Sequence, residues 1–422
     1  MADFKTASQT MMILLRFSRR LWVRVALMAL LSVVAAVAAM YLEDFIPKDL
    51  RDRFRPDTVM PILTILASGM LAVSTFSLNV MVSAHNAAAA QATPRAHRIL
   101  LADTTTQSVL ATFIGAFVYA LTSIILLRAG LDGGSSSVTV LLFTVAVVVL
   151  VILALLRWID HLSDLGSMDA TLRMTEAEAR TSLQLTRRAP TLNASPLTSD
   201  TVIPTDAVPV PAHRSGYLQF IDVARLNGTI EKSKACIYLH TAPGDFVLTG
   251  QPVAYATGLT DKQMKTVQNS LTIGQYRTFE QDATYGLLVL SEIASRALSP
   301  GMNDPGTAID VIARQERLLW NWAQSEEAKA DPKYPSIFVP EMSRGKMIEN
   351  AFSSTARDGA GSIEVTCRLL HALRALQDAP DPALAEAAAQ MSEITRQYAE
   401  EALTLKSEKE TMRQAHDAPR LG

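Results

Sequence analysis

Two groups of residues in this chain have types and spacing that could do chemistry. The first is Ser68, Ala72, Thr75, Asn79, Ser83 and Asn86, which recur at steps of three and four and therefore share one face of a helix. They interrupt an otherwise apolar stretch. Hydrocarbon satisfies no amide or hydroxyl, so such a face must meet protein or water. It could serve close helix packing, with small residues allowing approach and hydroxyls bonding across helices. The other reading is a pore or ion path lined by this face, closed into a ring by identical subunits. Asn79 is the member to test, because an unpaired amide is the costliest to bury.

The second group lies in Arg277-Thr278-x-x-Gln281-Asp282, Tyr285-Gly286 and the run from Glu292 to Ala308. The spacing predicts an amphipathic helix over Phe279 to Leu298, stopped by Ser299-Pro300-Gly301, and a second helix capped by Asp304 with Pro305 at its first position. Gln281, Tyr285, Glu292 and Arg296 are spaced to share its polar face. A helix start bearing Gly306 and Thr307, beside Asn303 and with Arg277 and Arg296 nearby, could hold a phosphate or carboxylate on backbone N–H groups. The alternative is a rigid corner in which Asp304 only caps and Arg296 pairs with Glu292 at i,i+4.

The first group must be positioned by a membrane. Four uncharged apolar stretches, Val25 to Leu42, Thr58 to Ala84, Thr104 to Leu127 and Val138 to Leu156, are each close to the span a bilayer core requires. The first is longer than a signal-peptide core and is followed by Glu43-Asp44, so it is expected to be retained. Arg16, Arg19, Arg20 and Arg24 before it, Arg95 and Arg98 between the second and third stretches, and Arg157, Arg173 and Arg180 after the fourth place both termini in the cytoplasm. Lys48, Arg51, Arg53 and Arg55 dissent, mixed with acidic residues. The second stretch runs on through His85 and the alanines of 87–90, and is expected to stop near Ala92, ahead of Thr93-Pro94. His85, His97 and Arg98 then gather near that face.

Through residue 160 the chain holds 13 of its 39 Lys and Arg and 9 of its 41 Asp and Glu, leaving the tail net acidic. An acidic tail argues against a nucleic-acid surface. The two cysteines, Cys236 and Cys367, stand in no zinc or redox spacing and suit a reducing compartment. No hydrolase elbow, phosphate-binding loop, metal pair or dinucleotide fingerprint is present, so neither an enzyme nor a cofactor is expected.

In the tail, Met168 to Leu185 reads as a polar helix with Glu176 and Arg180 at i,i+4. Pro190 to Pro211 reads as a linker or extended edge segment. Arg214 to Gly258 reads as a small β-barrel-like module, its Gly244-Asp245-x-Val247-x-x-Gly250-Gln251 run similar to the turns of biotinyl and lipoyl domains but without their lysine. Helices are expected over Asp261 to Leu271, Lys346 to Leu376 with a break near Asp358 to Gly361, and Pro382 to Leu405, with a frayed end beyond Lys406.

Ser74-Thr75-Phe76-Ser77-Leu78, Pro94-Arg95, Ser215-Gly216-Tyr217 and the run from Arg296 through Leu298-Ser299-Pro300-Gly301 to Asn303-Asp304-Pro305 together resemble a bacterial family of predicted integral membrane proteins of unknown function. The resemblance covers nearly the whole chain. It implies four N-terminal spans and a soluble C-terminal domain, and no activity.

The expected fold is therefore an α-helical membrane protein of four transmembrane helices over 1–165, followed by a cytoplasmic α+β region. That region comprises a helical extension and linker over 166–212, the β module over 213–258, a helical domain over 259–405 and a flexible tail over 406–422. Two functions fit: a homo-oligomeric, channel or transport-like protein of the bacterial inner membrane with the second span lining the path, or a membrane-anchored sensor or scaffold binding a ligand or protein. The expected partners are the lipid bilayer and further copies of the chain.

Overall fold

The structure is a computed structural model that describes residues 21–41, 56–91, 93–101, 104–129, 137–162, 166–231, 233, 235–326 and 331–417. The basic loop of Lys48 to Arg55 and Arg16 to Arg20 lie outside the described residues. So do the side chains of Arg24, His85 and His97. The chain divides into two compact units at Thr171 and Leu172.

The first unit contains α1 (Leu21–Tyr41), α2 (Pro56–Gln91), α3 (Pro94–Leu101), α4 (Thr104–Arg128) and α5 (Ser137–Leu162). Val59, Leu63 and Leu66 recur at steps of four and three on α2 and close against Tyr119 and Ala120 of α4 and Val140 of α5. The Tyr119 hydroxyl donates to the Val140 carbonyl at 3.1 Å, so even this aromatic is satisfied inside the bundle. α2 ends at Gln91, as the approaching Pro94 requires, and Pro94 then opens α3.

Among the described residues three helices are long and apolar enough to cross a membrane, Val59–Ala84, Thr105–Arg128 and Val138–Leu162. The first expected stretch is helical, but its apolar part among the described residues, Val25–Ala35, is shorter than a span.

The second unit begins with α6 (Met168–Arg188), whose first four residues precede the division. It continues through β1 (Ala194–Leu197), β2 (Val208–Pro211), β3 (Gly216–Ile221), α7 (Val223–Ile230), β4 (Ile237–Leu239), β5 (Phe246–Val247), β6 (Pro252–Ala256), α8 (Asp261–Asn269) and β7 (Leu271–Gly274). It closes with α9 (Tyr285–Ala297), α10 (Pro305–Gln324), β8 (Tyr334–Pro340), α11 (Arg344–Asp358), α12 (Ile363–Gln377), α13 (Pro382–Ala402) and α14 (Lys406–Asp417).

The expected barrel-like module is instead two open sheets. One has the order β1-β8-β4-β6-β2, parallel across β1, β8 and β4 and antiparallel beyond, and the other is the antiparallel β5-β3-β7. The five-stranded sheet borrows β8 from about 80 residues downstream, a pairing no local pattern announces. The proline-rich segment supplies both of its edges, β1 and β2, where missing N–H groups cost no ladder bonds. Leu218, Ile221, Leu226, Ile237, Leu239, Val253 and Ile337 form the shared core.

Two further expectations are corrected. The helix expected from Phe279 starts at Tyr285, because Arg277 and Gln281 are drawn to other partners described below. The end beyond Lys406 is helical through Asp417, with Met412 and Ala415 buried against Leu370, Ala399 and Leu403.

Candidate functional site

α2 carries a buried seam and an opposite face. Ser68, Ala72, Thr75, Asn79, Ser83 and Asn86 are all exposed, whereas Val59, Leu63, Leu66 and Ser77 are buried. The six residues that the sequence places on one face therefore lie on the outside of their own bundle. Packing among the described residues of one subunit leaves them uncovered.

Their chemistry is not uniform. The Ser68 hydroxyl donates to the Thr64 carbonyl and the Thr75 hydroxyl to the Leu71 carbonyl, each at 2.9 Å, so both are satisfied by their own helix. Asn79 cannot do this with both ends of its amide, and it has no partner among the described residues. It lies five residues inside the Val59–Ala84 span, about 7 Å along the helix from its end. Ser83 is at that end and Asn86 beyond it.

The Asp304 corner is a built turn. Asn303 adopts φ 47°, the Asp304 N–H donates to the Ala297 carbonyl at 2.8 Å, and the Asp304 carboxylate accepts from the Thr307 N–H at 3.1 Å and the Thr307 hydroxyl at 2.5 Å. Bonds from Thr307, with a smaller one from the Gly306 N–H, hold the Asp304 carboxyl below its ordinary range. The chain's own carboxylate thus occupies the N–H groups that an external anion would need.

Arg277 and Gln281 do not serve that helix start. Arg277 binds Asp282 through two bonds, at 2.6 and 2.9 Å, and also donates to Thr284. Gln281 pairs with both backbone groups of Ile221, tying this loop to β3. Tyr285 is buried at the start of α9, so the expected polar face of Gln281, Tyr285, Glu292 and Arg296 is not continuous. Glu292 and Arg296 are half-buried along α9.

Two glycines show why this region has its sequence. A Cβ on Gly286 would stand 2.4 Å from the Ala179 Cβ, so glycine lets α9 cross α6 closely. Gly244 has φ +98°, and a Cβ there would stand 2.3 Å from Asp282 Oδ2. The turn that resembles biotinyl domains therefore serves as a rest for the buried Arg277–Asp282 pair.

Sequence reasoning found Glu176 and Arg180 but missed what they belong to. The Glu176 side chain is 5% exposed and accepts from Arg180 at 2.8 Å, Arg314 at 3.0 Å and Arg317 at 2.7 Å. Arg314 also reaches Asp310 at 2.9 Å. Burial pushes the Glu176 carboxyl up, but the bonds from Arg317, Arg180 and Arg314 outweigh it and hold the group below its ordinary range.

A second knot lies nearby in sequence. Arg187 stacks 3.9 Å over Trp322 and donates to the Trp322 carbonyl at 2.9 Å, while Arg344 lies 5.3 Å from the same ring and 3.3 Å from Asp381. The i,i+4 pairs Glu176–Arg180 on α6 and Asp310–Arg314 on α10 were the available signal for the first cluster, whereas nothing local signalled the second. Among the described residues no group of three or more His, Cys, Asp or Glu could hold a metal ion.

Apolar spanning helices followed by an α+β soluble region define an integral membrane protein. The chain belongs to the family described as predicted membrane protein (DUF2254), whose model matches residues 18–375. It is similar to an uncharacterized protein of Mycobacterium bovis and to one of Mycobacterium tuberculosis, each 28% identical over 346 residues that cover 78% of this chain. The chain spans 65% of the length of these curated relatives. No solved structure matches it.

Proposed function

We propose that this chain works as a homo-oligomeric, channel or transport-like membrane protein in which the polar face of α2, repeated by symmetry, lines a path for water or ions. In this reading α1 completes a set of four crossings of a bacterial inner membrane, with both termini in the cytoplasm. One observation carries it: Ser68, Ala72, Thr75, Asn79, Ser83 and Asn86 of α2 are all exposed on the subunit while the opposite seam is buried.

Hydroxyls that bond their own helix tolerate lipid, but the Asn79 amide does not. Its partner must come from outside the described bundle. A second copy supplies an identical amide, and a ring of copies supplies water.

An anchored sensor binding an anion at the Asp304 corner has less support, because the Asp304 carboxylate already satisfies the helix start. Native mass spectrometry of the full chain in nanodiscs, with ion flux in liposomes, tests the proposal. Oligomers with flux that changes in Asn79→Leu are expected. A monomer, or flux unaffected by Asn79→Leu, overturns it.

A further inference from the structure

The bundle hides a second polar feature, separate from the exposed face of α2. Ser77 is 0% exposed and its Oγ has no hydrogen-bond partner; the half-buried Ser74 has its Oγ equally enclosed and unpartnered. Trp158 of α5 is 2% exposed, and its indole Nε1 is buried without an acceptor. Each such group left dry costs about 1–3 kcal/mol.

These orphans sit on helices that one core brings together. Trp158 packs with Val109, Phe113 and Ala154, and with Val73 and Val80, the residues that bracket Ser74 and Ser77 on α2. Beside Trp158, 6.3 Å between ring centroids, lies His161, whose Nε2 meets the Thr106 hydroxyl of α4 at 3.1 Å.

The direction of the helices sets the depth. α2 and α5 end, and α4 begins, on the side of the bundle from which the chain leaves for its C-terminal region. Ser77 is seven residues from Ala84, about 10 Å, and Trp158 four residues from Leu162, about 6 Å. Ser74 is ten residues from Ala84, about 15 Å, so the unpartnered atoms share the half of the span nearest that side.

We infer that α2, α4 and α5 enclose a hydrated chamber in the C-terminal-side half of each bundle, entered past Thr106 and His161, that takes water or a small neutral hydrogen-bonding solute. The indole N–H only donates, so the occupant must accept; the serine hydroxyls do either. Two hydroxyls and an indole supply the several polar partners a buried water needs. None of Ser74, Ser77, Thr106, Trp158 or His161 carries a fixed charge, which suits a neutral occupant.

The test uses the full chain in liposomes with Cys236 and Cys367 replaced by Ser. Ser77→Cys is treated with a small, water-soluble, neutral thiosulfonate, with Ala120→Cys as control in the apolar core beside Tyr119. Ser77→Cys is expected to react at least ten times faster than Ala120→Cys. Equal protection of both overturns the inference. Ser77→Ala provides an independent arm. A hydrated site loses a water ligand and the thermal midpoint falls, whereas a midpoint unchanged or raised marks a dry orphan hydroxyl and overturns the inference.

Discussion

Replacing Glu176 by Gln should destabilise the C-terminal unit more than any other single polar substitution there. The Glu176 side chain is 5% exposed and is the shared acceptor of three arginines, of which Arg314 is only 12% exposed while Arg180 and Arg317 are about half exposed. Removing the anion leaves a largely enclosed guanidinium facing two others, with the Asp310 carboxylate at 2.9 Å remaining. Breaking a buried pair in this way costs about 3–5 kcal/mol. For a unit of this size that corresponds to a fall of about 6–20 °C in midpoint. Trp320 and Trp322 sit on the same helix as Arg314 and Arg317, so intrinsic fluorescence during a thermal scan of the detergent-solubilised chain reads the loss directly.

Two internal comparisons sharpen this prediction. Arg314→Ala should cost several times more than Arg180→Ala, since exposed pairs contribute about 0–1 kcal/mol. The Glu176 carboxyl titrates below its ordinary value of 4.5 in the folded chain, so its contribution is fully present above that value and is lost as pH falls through the folded pKa. The difference between wild type and Glu176→Gln should therefore shrink in acid below pH 4.5. A midpoint within about 2 °C of wild type at neutral pH, or equal costs for Arg314→Ala and Arg180→Ala, would refute the reasoning.

Three further outcomes are expected. Gly244→Ala should destabilise by about 2–4 kcal/mol in the same thermal scan, combining left-handed backbone strain with displacement of the Asp282 carboxylate. Met412→Ala should cost about 2–5 kcal/mol, whereas no change would show that Lys406–Asp417 adds nothing to the fold. Asp304→Ala should cost about 0.5–2 kcal/mol as a lost cap, and millimolar phosphate should leave the wild-type midpoint unmoved; a rise with phosphate would make the corner an anion site.

What the sequence made legible was local. Pro94 announced the end of α2, Asp304-Pro305 the start of α10, and the apolar stretches the bundle, because caps, prolines and hydropathy act within a turn or a span. The three-and-four spacing of Ser68 to Asn86 puts those residues on one side of a continuous helix. Periodicity does not say which face the rest of the bundle covers, and that proved decisive for the polar stripe. The Glu176 cluster joins residues about 140 positions apart, so only Arg180 was visible from Glu176. The closing helix was missed because Lys406–Asp417 is mostly charged, and two small contacts, Met412 and Ala415, hold it. The barrel-like expectation failed for the same reason: β8, on which the larger sheet depends, lies far from the other strands in sequence.

Disulfide cross-linking along α2 tests the central claim most directly. In a full chain with Cys236 and Cys367 replaced by Ser, single cysteines at Ser68, Thr75, Asn79 and Ser83 should form intersubunit disulfides on oxidation in native membranes. A cysteine at the inward-facing Val73 should not. Monomer at every position on the exposed face, or cross-linking without regard to face, would contradict the proposal that copies of this protein meet through the polar face of α2.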